Sequence, residues 1–137
     1  MKKYLFLLIF MASAAISNAQ DAEHKIVFQM TTDNPNEHKA LMNNLRNLKE
    51  GWDDTVQMLV VVHSPGVALV DAKNSFAEEI QQFIKDDGVV FAVCENTLKQ
   101  RNIDKASLMP NLEFVPMGVA EIVMKQEQGW SYIKANF

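Results

Sequence analysis

At 137 residues, 48% of them hydrophobic and 22% charged, the chain is long enough for one domain with one core and too apolar for a disordered segment. Its net charge of −4, without a basic stripe or aromatics interleaved with Lys and Arg, argues against nucleic acid, whose affinity depends on neutralising phosphates. A single cysteine permits no internal disulfide, so packing alone must stabilise the fold.

The chain opens with Lys2 and Lys3, then the apolar run "YLFLLIFMASAAIS", then "SNAQ". A basic stretch, an apolar stretch and small residues in that order read as a secretory signal peptide over residues 1–19, cleaved after Ala19. The apolar run is too short, and too soon followed by Asn18, Gln20 and Asp21, for a transmembrane anchor. The mature protein, residues 20–137, is expected in the periplasm or secreted, with no membrane attachment. Its charge becomes −6, because the leader holds two lysines and no acid.

From Lys25 to Thr31, "KIVFQMT" predicts a buried strand. A helix follows, with Asn34 as N-cap, Pro35 at its first position, Glu37 at capping-box spacing and Gly51 at its end. Leu41, Leu45 and Leu48 share one face of it, and His38 is expected on a solvated face. "VQMLVVVHSPG" predicts a second strand, apolar on both faces as in a covered parallel sheet, ending at His63 and the Pro65–Gly66 turn.

A loop at "VALVD" leads into a second helix from Lys73 to Asp87, stopped by Gly88. "VVFAVC" is the third strand, and Thr97 with Gln100 at capping-box spacing predicts a short helix ending near Asn102. A helical turn at "DKASLMPN", a fourth strand at "LEFVPM", a fourth helix at "GVAEIVMKQEQG" with Val119, Ile122 and Val123 inward, and a last strand at "WSYIKANF" complete the series.

Strands alternating with helices imply right-handed crossovers and an α/β three-layer sandwich with a mainly parallel five-stranded sheet of flavodoxin-like order. In such sheets the binding crevice lies beyond the carboxyl ends of the strands, where the strand order reverses. His63 and Cys94 both fall at carboxyl ends. Cys94 also precedes a helix, where unpaired amides and the helix dipole favour a thiolate. Glu95 opposes this only if its carboxylate turns toward the sulfur. Equally, Cys94 fits a small buried residue finishing a strand.

With the first strand between the second and third, His63 and Cys94 stand roughly 10 Å apart, too far for a Cys/His dyad. A histidine bonded to the "SPG" turn is the plainer role. No metal-ligand spacing, phosphate loop, "GK[ST]" or "GxSxG" elbow occurs, so the sequence requires neither metal nor cofactor.

The stretches "VVFAVCENTLKQRNI", "EFVPMGVAEIVMKQEQGW" and "YIKANF" resemble the DsrE/DsrF-like family of sulfur-relay and related proteins, and most of all its poorly characterised branch. The resemblance rests on Cys94 followed by Asn96, Thr97 and Leu98, on Val115, Pro116 and Gly118 to Glu121, and on Tyr132 to Lys134. It implies that Cys94 accepts sulfane sulfur as a persulfide and passes it to a partner thiol. It also implies trimeric or hexameric homo-oligomers with the cysteines near subunit boundaries. Around Cys94 the expected supporting residues are Asn96, Thr97, His63, Gly118 and Glu121. The alternatives are a non-catalytic oligomeric binding module with an inert, buried Cys94, or a binder of a small ligand or metal at the strand-end crevice.

Overall fold

The computed structural model describes residues 22–135; the expected leader and its cleavage point after Ala19 lie outside them. Five strands, β1 (His24–Met30), β2 (Val56–Val62), β3 (Val90–Cys94), β4 (Glu113–Val115) and β5 (Ser131–Lys134), form one sheet in the order β4-β3-β2-β1-β5. Every neighbouring pair is parallel. The helices are α1 (Pro35–Trp52), α2 (Ala77–Asp86), α3 (Glu95–Arg101) and α4 (Gly118–Glu127), with a 3-10 segment over Ser64–Val70 where a plain loop was expected. Among the described residues no helix is long and apolar enough to cross a membrane.

The strand order corrects one expectation. β2 lies between β1 and β3, so the first strand does not separate the second from the third. From β1 to β4 the chain steps one strand at a time in one direction, and right-handed crossovers made in one direction stay on one face. The residues of α1, α2 and α3 accordingly pack into a single large core with Phe28, Val60, Val62, Phe91 and Val93. The last connection runs from β4 across the sheet to β5, in the opposite sense, which sends α4 to the other face. There it covers a smaller core of Val27, Leu59, Val61, Ala92 and Ile122.

This division explains a second correction. α4 was expected to turn Val119, Ile122 and Val123 inward, yet only Ile122 is buried; Val119 is 58% and Val123 47% exposed. A helix lying alone on a sheet face buries a narrow stripe, here Gly118 and Ile122, and its other apolar residues have nothing to pack on. His38 is a third correction. It is buried, and its Nε2–H donates to the carbonyl oxygen of Thr32 at 2.8 Å, tying α1 to the end of β1.

Local chemistry sets the element ends. Asn34 caps α1 through its side chain, which accepts from the Asn36 amide, with Pro35 in the first turn as expected. The second helix starts at Ala77 and not near Lys73, because Asp71 and Asn74 turn their side chains back onto the amides of Lys73 and Phe76. Asn102 ends α3 in the left-handed conformation that asparagine tolerates.

Candidate functional site

Cys94 ends β3 and pairs in register with Val115 of β4. The connection after β3 runs to one face of the sheet and that after β4 to the other, so Cys94 stands where the winding reverses. In open α/β sheets that is the position of the binding crevice. Residues alternate across the sheet, and Leu59, Val61 and Ala92 all meet α4. His63 and Cys94, two residues beyond Val61 and Ala92, therefore continue the α4 face at its carboxyl edge.

Thr97 and Asn96 are set by the way α3 starts. The helix begins at Glu95 and not near Thr97, so Cys94 is its N-cap, with extended backbone (φ −71°, ψ 109°). In this position an N-cap side chain faces the amides of the second and third helical residues, Asn96 and Thr97. The sulfur makes no close cap bond. Burial pushes its pKa up, but the Thr97 hydroxyl and the amides of Gly118, Thr97 and Asn96 more than offset this and hold the thiol below its ordinary value. Asn96 thus acts through its backbone, and its side chain is exposed. The Asn96 amide also donates to Pro116 O at 3.2 Å, which ties the β3–α3 junction to the β4–α4 junction.

Gly118, the first residue of α4, closes over the site. A Cβ there would lie 3.1 Å from Val61 Cγ1, 3.2 Å from Cys94 Cβ and 3.5 Å from His63 Cβ. Only a residue without a side chain lets the helix start this close to the sulfur. Cys94 itself is 6% exposed. Glu95 does not oppose the anion, since its carboxylate accepts from Lys105 Nζ at 2.6 Å and is drawn to the side of α3 where Lys105 also sits 4.1 Å from the Phe114 ring centre.

His63 is brought to the neighbouring strand, but not into a dyad. Its Nε2 faces Gln29 Nε2 at 2.8 Å and its Nδ1 faces Ser64 Oγ at 3.0 Å, so both ring nitrogens are engaged. Burial lowers its pKa. The bond to Ser64 is the role in the turn expected from the sequence. Gly66 makes the turn possible, because a Cβ there would come 2.2 Å from Met30 O. Glu121 is not joined to Cys94: it pairs with Lys125 at 3.6 Å, and Lys125 lies 4.9 Å from the Trp130 ring centre. Gln29 and Ser64 also belong to the site, as does Tyr132, which the sequence marks only for the resemblance of the chain's end; no local motif links residues so far apart. Among the described residues, no group of three or more His, Cys, Asp or Glu side chains is placed to hold a metal ion.

The chain is similar to proteins of known structure. One, a protein of unknown function from Methanobacterium thermoautotrophicum, is 30% identical with a TM-score of 0.76, covering 81% of this chain and 98% of that one. A second protein of unknown function, from Bacteroides thetaiotaomicron, is 21% identical with a TM-score of 0.66, covering 85% and 99% respectively, and shares the fold. No curated protein matches the chain. The family model of the DsrE/DsrF-like family matches residues 8–135, nearly the whole sequence, and the chain belongs to that family.

Proposed function

We propose that this protein is an exported sulfur carrier whose working group is Cys94. The observation that carries this reading is the set of donors around the sulfur. The Thr97 hydroxyl and three amides favour the anion, at the point in the sheet where ligands bind. The Cys94 thiolate attacks the terminal sulfur of a donor persulfide. The donor's sulfur–sulfur bond breaks, a new one forms on Cys94, and the donor leaves as a thiolate that takes up a proton. No net oxidation occurs. Attack by a partner protein's thiol on the outer sulfur returns Cys94 to its thiolate.

The leader-like N-terminus supports export, to the periplasm or out of the cell. Self-association, as a trimer or hexamer, is supported by the apolar residues that α4 leaves uncovered, Met117, Val119, Val123 and Met124. Met117 and Val119 flank Gly118, so a subunit seated on this face would lie close to Cys94.

Incubation with a sulfane donor followed by intact mass measurement tests the reading. The wild type should gain one sulfur atom and Cys94→Ser none; a wild type that gains none across a range of pH overturns it. The 6% exposure of Cys94 favours a second reading, a binding module with an inert cysteine. On that reading a thiol reagent reacts slowly with the native protein and fast once it is unfolded.

A further inference from the structure

Around His63 runs one chain of hydrogen bonds drawn from four separate elements. The Tyr132 hydroxyl on β5 donates to Gln29 Oε1 on β1. With Oε1 engaged there, the Gln29 nitrogen is the group that faces His63 Nε2 at 2.8 Å. An amide nitrogen only donates, so in this orientation of the Gln29 amide Nε2 is the bare, accepting nitrogen and the ring proton sits on Nδ1. From there it reaches Ser64 Oγ at 3.0 Å. Ser64 holds a left-handed backbone (φ 54°), unusual for a residue with a side chain, and its N–H donates to Thr97 Oγ1 at 3.1 Å. With Oγ1 receiving that bond, the single hydroxyl proton of Thr97 is left to point at the Cys94 sulfur.

We infer that Gln29 and Tyr132 are positioning residues for Cys94: through the Nδ1–H form of His63 they hold Ser64 in place, and Ser64 aims the Thr97 hydroxyl at the sulfur. The inference rests on Cys94 being the working thiol. The chain is not a proton path, because two of its links are amide N–H groups that do not exchange protons on a catalytic timescale. It holds an orientation. A Gln29 nitrogen against Nε2 also resists protonation of the ring, so the sulfur is stabilised by neutral dipoles and not by an imidazolium. The other titratable groups on this side of the sheet are Cys94 and, by strand alternation, Lys25, Glu113 and Lys134, with Tyr132 at the edge and Glu121 paired to Lys125 on α4.

The test uses the full mature protein and two variants, Tyr132→Phe and Gln29→Leu, with two readouts: nitrogen shifts of the His63 ring, and the pH profile of Cys94 alkylation. Tyr132 lies on the edge strand and is partly exposed, so losing its hydroxyl leaves the fold intact. The wild type should show a protonated Nδ1 and a bare Nε2. Both variants should show mixed tautomers and about threefold slower alkylation at pH 6, as expected for loosening one charge-assisted hydrogen bond. Unchanged tautomers, or changed tautomers with an unchanged alkylation profile, overturn the inference. If these shifts occur but no sulfur is loaded in the mass experiment, the carrier function fails while the positioning chain stands. If sulfur loads and the shifts are absent, only the chain fails.

Discussion

Gly118 and Cys94 are 24 positions apart by sequence number, yet a Cβ on the glycine would meet the Cβ of the cysteine at 3.2 Å. The start of α4 is thereby pressed onto the end of β3, and the Gly118 amide becomes one of the groups that favour the sulfur anion. Gly118→Ala gains about 1 kcal/mol of helix propensity, while crowding a packed site costs about 1–3 kcal/mol, so a net loss of about 1 kcal/mol is expected. Urea unfolding should show the loss, and Cys94 alkylation should slow with it.

The Thr97 hydroxyl can be removed without changing side-chain volume. Thr97→Val takes away a donor to the thiolate and should slow alkylation roughly tenfold below the thiol pKa, in line with hydrogen bonds to charged groups. Thr97→Ser keeps the hydroxyl and should stay close to the wild type. Equal rates in all three proteins contradict the role given to Thr97.

His63 has a lowered pKa in the folded protein, so near neutral pH the unfolded chain binds its proton more readily than the native one. The stability this group contributes is full above its ordinary value of about 6.5 and is lost as pH falls through the lower folded value. Denaturant midpoints measured from pH 7 down to pH 5 should fall more for the wild type than for His63→Gln. Parallel curves contradict this.

The two sides of α4 should respond differently to truncation. Ile122 fills the small core, and Ile122→Ala should cost about 2–5 kcal/mol. Val123 is largely exposed in the single chain, and Val123→Ala should change its stability by less than about 0.5 kcal/mol. Sedimentation should show that Val123→Glu dissociates oligomers if this face is the subunit contact. An unchanged mass then places the contact elsewhere.

The alternation of apolar runs and capped helical segments made the layers and all five strands legible. The capping signals of Asn34, Pro35 and Asn102 marked helix ends well, because Asn34 and Asn102 satisfy backbone groups locally and Pro35 has no N–H to leave unpaired. Strand order was not legible, since a right-handed crossover is satisfied by stepping to either side, and that one choice moved His63 beside Cys94. The exposure of Val119 and Val123 was hidden for the same reason: periodicity names an apolar face but not whether anything covers it. Cys94 and Thr97 could be found from the residues around the strand end, and Gly118 through the family resemblance. Gln29 and Tyr132 could not, because one hydrogen bond between β1 and the distant β5 leaves no trace in spacing.

The pKa of Cys94 in the native protein, read from the pH dependence of its alkylation, bears most directly on the whole account. Four donors outweighing burial should place it clearly below the ordinary thiol value of about 8.5, with a fast reaction that persists into mildly acidic solution. A value at or above that of a free thiol, or a sulfur that reacts only after unfolding, would show that the amides and the Thr97 hydroxyl do not stabilise an anion that other molecules can reach.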